Sequence, residues 1–245
     1  MTKANIKLIA LDIDGTLLNE QGEISSQNYD AIKKAEALGI TVLLTTGRTM
    51  MRSRDYAIAL KLSSYMVTVN GSEIWDAHGN LLERTLLQTE KMKELLQVVD
   101  EHSLPFKAVC TKQMWLNEIP DCIDDVKWMA ILMFFEDADF REEILQKLQL
   151  KTGIEISNSS PNNIEINAKG INKARAIEKV CQMLHISMDE VMTIGDSLND
   201  LEMIKAAKIG VAMGNAQEVV KREADWITES NNKHGVAVAL EKWVL

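Results

Sequence analysis

Cysteine is scarce in this chain of 245 residues, which contains only Cys110, Cys122 and Cys181. Their number is odd, and their spacing matches neither a disulfide framework nor a cluster of metal-binding cysteines. Such a chain fits a reducing compartment best, so we expect a cytoplasmic protein.

Long apolar stretches and an excess of basic residues are also missing. No run approaches the roughly 20 apolar residues of a transmembrane helix, and the N-terminal stretch carries aspartates where a signal peptide would be continuously apolar. Lys and Arg number 27 against 36 Asp and Glu, which gives a net charge of −9. An acidic surface argues against nucleic acid or an anionic membrane as the main partner. It still allows a small anionic ligand at a locally positive site.

Short apolar runs do alternate with helical patterns over much of the chain. Residues 6–11, 41–47 and 65–71 predict buried strands, and residues 25–39 and 49–62 predict the helices between them. Alternation of this kind is typical of a parallel sheet with right-handed crossovers.

The middle of the chain has a different pattern, in which strand-like segments outnumber two amphipathic helices. The alternating pattern returns after it. The simplest organisation is α/β: a doubly wound parallel-sheet core formed by residues 1–83 and 169–245, with a smaller α+β domain inserted at residues 84–168.

Polar residues follow three of the predicted core strands. Asp12 and Asp14 end the first strand, Thr46 ends the second, and Asp196 ends a later one. In an open α/β sheet, ligands bind outside the carboxyl ends of the strands, so we expect these residues to meet there. If strand geometry persists, Asp12 and Asp14 also share a face.

Grouped carboxylates repel one another unless a cation compensates them. A few oxygen ligands with room for water suit Mg²⁺. The side chains of Thr46 and Lys173 and the backbone amides near Ile13 and Gly47 fit phosphate oxygens. One carboxylate can then act as a nucleophile and another as an acid and base. The pattern alone does not assign these two roles.

Each motif also has a plainer interpretation when it is taken alone. Asp-Gly pairs are common in turns. Thr46 can simply begin a turn into a helix, most lysines such as Lys173 are solvated, and Asp200 suits the first turn of a helix. The occurrence of all these motifs at strand ends favours the catalytic interpretation.

Four segments taken together resemble a known family. The sequences "DIDGTLL" and "LLTTGR", the residue Lys173 and the sequence "IGDSLNDLEM" are similar, in this order, to the four signatures of the haloacid dehalogenase superfamily of phosphohydrolases. The sequences "VNGSEI", "VAMGNA" and "ADWITESNNKHGV" further resemble the Cof-type phosphatases, which carry a type IIB cap. Ser72 is a small departure, since alanine is more usual there. The resemblance implies a Rossmann-like core and an inserted cap that acts as a lid.

The resemblance also implies roles for the acidic residues. Asp12 would be the nucleophile and a Mg²⁺ ligand. Asp14 would be the general acid and base, and it would bind Mg²⁺ through its backbone carbonyl. Asp196 would be the remaining protein ligand, and Asp200 would orient Lys173 or the waters of the metal.

Further residues would bind the phosphoryl group. The resemblance assigns this task to Thr46, Lys173 and Asn199, with the backbone of Ile13 and Gly47. The role of Arg48, which follows them, stays open between a contact with substrate and a contact with a neighbouring carboxylate.

The expected activity is Mg²⁺-dependent hydrolysis of a small phosphorylated metabolite: a sugar phosphate, a phosphorylated cofactor or a nucleotide. One alternative is a phosphosugar mutase, which returns the phosphoryl group to sugar. Another is a phospho-receiver switch, which gathers similar residues on a parallel sheet and holds the phosphate without turnover. The oligomeric state, monomer or weak dimer, is left open.

Overall fold

In the computed structural model, which describes residues 5–245, strands and helices alternate over most of the chain. The strands are β1 (Leu8–Asp12), β2 (Thr41–Thr45), β3 (Met66–Thr68), β4 (Glu73–Trp75), β5 (Leu81–Arg84), β6 (Phe106–Cys110), β7 (Met114–Leu116), β8 (Trp128–Phe134), β9 (Ile154–Ser157), β10 (Asn163–Ala168), β11 (Val191–Gly195), β12 (Ile209–Ala212) and β13 (Trp226–Ile227). The helices are α1 (Ser26–Ala37), α2 (Met50–Ala59), α3 (Thr89–His102), α4 (Ala138–Gln149), α5 (Lys173–Leu184), α6 (Leu201–Ala206), α7 (Glu218–Glu223) and α8 (Gly235–Trp243).

The core unit ends at Glu83, resumes at Lys173 and is built on an eight-stranded sheet. The strand order is β13-β12-β11-β1-β2-β3-β4-β5. The strands from β13 to β3 are parallel, whereas β4 runs antiparallel to β3. Since β1 pairs with β2 on one side and with β11 on the other, the sheet joins segments from both ends of the chain. The expected doubly wound α/β core is confirmed.

Strand β1 is buried on both faces. Ile9 and Leu11 belong to the apolar cluster that includes α1 and α8, two helices that pack together. Leu8 and Ala10 belong to a second cluster, which includes Ile177 of α5. Because alternate residues of a strand point to opposite faces, a strand covered on both sides has a continuous apolar run.

The inserted unit, residues 84–172, is built on an antiparallel sheet with the order β7-β6-β8-β10-β9. Its helices α3 and α4 contribute Leu95 and Ile144 to an apolar cluster with Trp128 and Ile131 of β8. This arrangement is the α+β unit expected from the sequence.

The core resumes at Lys173 rather than at residue 169. The residues between these positions are hydrogen-bonded to the inserted sheet. The N–H of Lys169 donates to the carbonyl of Gly153 (3.1 Å), and the N–H of Gly170 donates to Glu155 Oε2 (3.0 Å).

Between residues 5 and 245, no helix combines the length and the apolar character that crossing a membrane requires. All three cysteines are free thiols.

Candidate active site

The first acidic motif lies where β1 ends. Asp12 is the last residue of the strand and is buried, and the chain then turns tightly through Ile13–Leu17. Gly15 has a φ of +76°, and a Cβ at this position would lie 2.5 Å from Oδ2 of Asp196. Only glycine therefore lets this turn approach the carboxylate that follows β11.

Three carboxylates meet at this edge of the core sheet. One oxygen from each of Asp12, Asp196 and Asp200 lies within 4.8 Å of the others. Two hydroxyls orient Asp196: Thr16 Oγ1 donates to Oδ1 (3.3 Å), and Ser197 Oγ donates to Oδ2 (3.1 Å). No role for these two hydroxyls is predicted from the sequence, although both lie inside the motifs that follow β1 and β11.

Lys173 is completely buried between two of these carboxylates. It is the first residue of α5, and its Nζ donates to Asp12 Oδ1 (2.6 Å) and to Asp200 Oδ1 (2.7 Å). It is therefore not the solvated lysine that its sequence context alone would suggest.

Asp200 also shapes the loop after β11. Its Oδ2 accepts the N–H groups of Asp196 (2.9 Å) and Ser197 (3.0 Å), while its Oδ1 accepts from Lys173. A Cβ on Gly195 would lie 2.4 Å from Cγ of Asp200, so the carboxylate packs directly on the strand end. Asp200 thus fixes the position of Asp196 and Lys173 together.

Burial dominates the electrostatics of the cluster. It raises the pKa of Asp12 well above the usual range, the charge of Asp200 adds to the effect, and Lys173 opposes it. Burial, followed by the charge of Asp200, raises the pKa of Asp196 to about 7. Burial alone would lower the pKa of Lys173, but Asp12 and Asp200 together outweigh it and raise that pKa. When all three carboxylates are ionised, the one ammonium leaves two negative charges, the charge that one divalent cation neutralises.

Asp14 lies outside this cluster. The strand ends at Asp12, so the alternation of strand geometry does not extend to Asp14. The Asp14 side chain is 53% exposed and accepts two hydrogen bonds from Arg48. Of the two alternatives for Arg48, the structure shows the contact with a neighbouring carboxylate.

Apart from Lys173, the predicted phosphate-binding residues follow β1, β2 and β11. Thr46 is buried, and its Oγ1 accepts the N–H of Arg48 (3.1 Å), which leaves its hydroxyl hydrogen to donate elsewhere. Gly47 lies between these two residues. The side chain of Ile13 is fully buried in the apolar core, so only its backbone is available to a ligand.

Asn199 is buried and is held by Asn70, a residue that the sequence motifs alone do not place at the site. Its Nδ2 donates to Oδ1 of Asn70 (3.1 Å). Asn70 has a φ of 56° and follows Val69, which has a φ of 50°. Left-handed backbone is costly for a β-branched residue and is often found at functional sites. In the sequence, this turn corresponds to the segment "VNGSEI", which begins at Val69.

The same turn supports the loop after β2. The N–H of Val69 donates to the carbonyl of Arg48 (2.9 Å), and the N–H of Asn70 donates to the carbonyl of Thr46 (3.0 Å). One strained turn therefore braces both the Thr46–Arg48 loop and the side chain of Asn199.

Comparison with known proteins places this chain in a family. The haloacid dehalogenase-like hydrolases match the chain over residues 9–125 and 117–240. The chain belongs to this family. The hydrolase is 49% identical over 241 residues to the 5-amino-6-(5-phospho-D-ribitylamino)uracil phosphatase YcsE of Bacillus subtilis, an alignment that covers 98% of this chain and 97% of the relative.

Solved structures have the same fold as this hydrolase. A haloacid dehalogenase-like hydrolase from Bacillus subtilis matches with a TM-score of 0.90 at 24% identity and covers 98% of this chain and 100% of its own. Another haloacid dehalogenase-like hydrolase, from Bacteroides thetaiotaomicron, matches with a TM-score of 0.80 at 30% identity. The alignment covers 97% of this chain and 99% of that one. The resemblance inferred from the four motifs is confirmed, and so is the enzyme class, a phosphoric monoester hydrolase.

Proposed function

We propose that this hydrolase is a Mg²⁺-dependent phosphatase that transfers the phosphoryl group of a small metabolite first to Asp12 and then to water. The observation that carries the proposal is the buried Lys173, which bonds to Asp12 and Asp200 beside Asp196. A lysine in this position can bind a phosphoryl oxygen while it holds the nucleophile. The free thiols are compatible with the cytoplasmic location expected from the sequence.

The donor set fits Mg²⁺. The carboxylate oxygens of Asp12, Asp196 and Asp200 are hard ligands that lie within 4.8 Å of one another, and with all three ionised the cluster has two negative charges in excess of the charge of Lys173. We assign the carboxylates of Asp12 and Asp196 and the backbone carbonyl of Asp14 as the protein ligands. When bound, Mg²⁺ would offset the repulsion between the carboxylates and stabilise negative charge on the phosphoryl group.

In the first step, a carboxylate oxygen of Asp12 attacks phosphorus. The ester P–O bond breaks, and Asp14 gives its proton to the leaving oxygen, so that the products are an aspartyl phosphate and an alcohol. Thr46, Asn199 and the backbone amides of Ile13 and Gly47 would bind the phosphoryl oxygens during transfer.

In the second step, Asp14 is a carboxylate and removes a proton from water. The water oxygen attacks phosphorus, the acyl-phosphate P–O bond breaks, and inorganic phosphate leaves. Asp12 is regenerated as a carboxylate, and Asp14 is protonated for the next cycle. The inserted unit would exclude bulk water during these steps and contact the rest of the substrate.

The name of the 49% identical relative supplies the first candidate substrate. That protein is a phosphatase of 5-amino-6-(5-phospho-D-ribitylamino)uracil. The compound is a primary alkyl phosphate, so it needs the acid catalysis that we assign to Asp14. We propose it as the substrate of this hydrolase.

The test is phosphate release from a panel containing this compound, sugar phosphates, phosphorylated cofactors, nucleotides and p-nitrophenyl phosphate. Each is assayed with Mg²⁺ and with EDTA. We expect Mg²⁺-dependent release, with the highest kcat/KM for the ribitylaminouracil compound. A mutase would instead return the phosphoryl group to sugar, and a receiver switch would retain it without turnover. Either result would refute the phosphatase proposal.

A further inference from the structure

The contact between Arg48 and Asp14 is a two-pronged ion pair. Arg48 Nε donates to Asp14 Oδ2 (2.7 Å), and Arg48 Nη2 donates to Asp14 Oδ1 (2.5 Å). Two parallel hydrogen bonds fix the plane of the carboxyl group as well as its distance, which a single point charge cannot do.

Arg48 is itself fixed by helix α2. Its Nη1 donates to the hydroxyl of Tyr56 (3.2 Å) and to the carbonyl of Arg52 (3.4 Å). Its guanidinium carbon lies 5.2 Å from the centre of the Tyr56 ring. The two N–H groups of Arg48 that bond to Asp14 form a fork, and the orientation of this fork depends on residues that lie on a regular helix.

A count of donors separates the two possible roles of Arg48. A guanidinium has five N–H groups. The hydrogen bonds to Asp14, Tyr56 and Arg52 occupy four of them. One N–H is left for a substrate, whereas Asp14 receives a matched pair. The geometry favours a side chain that holds Asp14 over one that binds substrate.

We propose that Arg48, oriented by Tyr56, is a positioning residue that holds the carboxyl group of Asp14 for proton transfer. The inference rests on the proposed function, because it takes Asp14 as the acid and base. It explains how a half-exposed side chain beyond the end of β1 keeps one orientation. Without the fork, Asp14 would sample several rotamers, and a displacement of about 1 Å can cost 10²-fold in rate.

The fork can serve both halves of the reaction. An ionised Asp14 accepts both hydrogen bonds from Arg48. A protonated Asp14 still accepts one at its carbonyl oxygen, while its O–H is available to the leaving oxygen. The side chain can therefore stay in place while the proton leaves and returns.

The test compares two phosphate esters that differ in their need for a proton. Ribitol 5-phosphate has an alkoxide leaving group and needs an acid, whereas the p-nitrophenolate of p-nitrophenyl phosphate leaves without one. For Arg48→Gln we expect kcat on ribitol 5-phosphate to fall by about 10²-fold. On the aryl ester, the first turnover should stay close to wild type. A stoichiometric burst of nitrophenolate should then precede slow turnover, because hydrolysis of the aspartyl phosphate still needs the base.

Three further variants sharpen this test. Arg48→Lys keeps the charge but lacks the fork. Its kcat on ribitol 5-phosphate should therefore fall about as much as that of Arg48→Gln. Tyr56→Phe removes one hydrogen bond from Arg48 and should lower kcat on ribitol 5-phosphate by about 2- to 10-fold. Arg52→Gln is the matched control: it removes a positive charge from the exposed side of α2 but keeps the backbone carbonyl, and it should behave as wild type.

Other results would overturn the inference. A raised KM with unchanged kcat would make Arg48 a substrate ligand. An equal fall in kcat on both esters, without a burst of nitrophenolate, would mean that Arg48 has a general structural role. Unchanged kinetics of Arg48→Gln beside an active wild type would refute the inference alone. A wild type that releases phosphate neither from these two esters nor from the ribitylaminouracil compound would refute the proposed function and the inference with it.

Discussion

A lysine with no exposed surface needs negative charge around it, and Lys173 has two carboxylates within 2.7 Å. Removing one partner of a buried ion pair leaves the other uncompensated, which costs several kcal/mol. The acidic cluster around Lys173 is therefore also part of what holds the core of this hydrolase together.

We expect Lys173→Met to lower the free energy of unfolding by about 3–5 kcal/mol in the absence of Mg²⁺. The change keeps the side-chain length but leaves Asp12 and Asp200 facing each other without a cation. Urea unfolding in EDTA measures the effect, with the exposed Lys208→Met as a matched control. Equal losses for the two variants would show that the ion pairs contribute nothing to stability.

Asp12→Asn should separate catalysis from folding. The amide has the shape of the carboxylate but is a poor nucleophile, so phosphate release should fall by a factor of about 10³ or more. Metal-free stability should not decrease, because Lys173 keeps Asp200 as its ionic partner and one of the three mutually repelling carboxylates is gone. Phosphate assays and thermal unfolding measure the two effects. A fully active Asp12→Asn protein would exclude an aspartyl phosphate on this residue.

At the residue scale, sequence patterns identified charged candidates but not the groups that orient them. Asp12, Lys173 and Asp196 could be proposed because their residue types recur at strand ends. The support from Thr16 depends on its hydrogen bond to Asp196, a residue 180 positions away, which no spacing rule encodes. The ion pair of Arg48 was left open for the same reason.

At the scale of elements, the left-handed turn after β3 connects two parts of the site. Val69 and Asn70 both have positive φ, and the turn bonds to the Thr46–Arg48 loop and to Asn199. Such a turn is costly in isolation and persists because its surroundings over-determine it. Its cost can be measured at Asn70.

Asn70→Gly and Asn70→Ala remove the same side-chain amide but differ in backbone freedom. Both should lower kcat/KM, because Asn199 loses its partner. The alanine variant should be less stable than the glycine variant by about 1 kcal/mol, the cost of left-handed backbone with a Cβ. Chemical denaturation of the two variants gives this difference. Equal stabilities would indicate that the turn relaxes when its side chain is lost.

Most of the strands and helices were predictable from the alternation of short apolar runs with segments of helical periodicity. The buried core strands appear as apolar runs because helices cover both faces of the sheet. The end of the inserted unit was less predictable. Residues 169–172 have no strand-like composition, and they are attached to the inserted unit by hydrogen bonds such as those from the N–H of Lys169 to the carbonyl of Gly153 and from the N–H of Gly170 to Glu155.

At the scale of the whole molecule, the cluster couples stability to pH and metal. Asp12 and Asp196 have raised pKa values in the folded state, so they bind protons more tightly there than in the unfolded chain. The contribution of Asp196 to metal-free stability should therefore fall as pH rises from about 4 to about 7 and then level off. Thermal unfolding in EDTA across this range measures the fall.

Mg²⁺ should reverse this loss, and more strongly at pH 8 than at pH 5, because its ligands must be ionised. At 100 times its Kd, the ion should add about 2.7 kcal/mol. Asp196→Asn should show a weaker dependence on pH and a much smaller stabilisation by Mg²⁺. A full Mg²⁺ effect in this variant would place the ion elsewhere.

The order of the core strands also governs when the site can assemble during synthesis. Asp12 leaves the ribosome 161 residues ahead of Lys173, which is roughly ten to thirty seconds at ordinary translation rates. Meanwhile β1 lacks its neighbour β11, while the inserted sheet draws only on strands within residues 84–172. Lys173 then emerges before Asp196 and Asp200. The nascent chain therefore never has to gather its repelling carboxylates before the ammonium that offsets them is present.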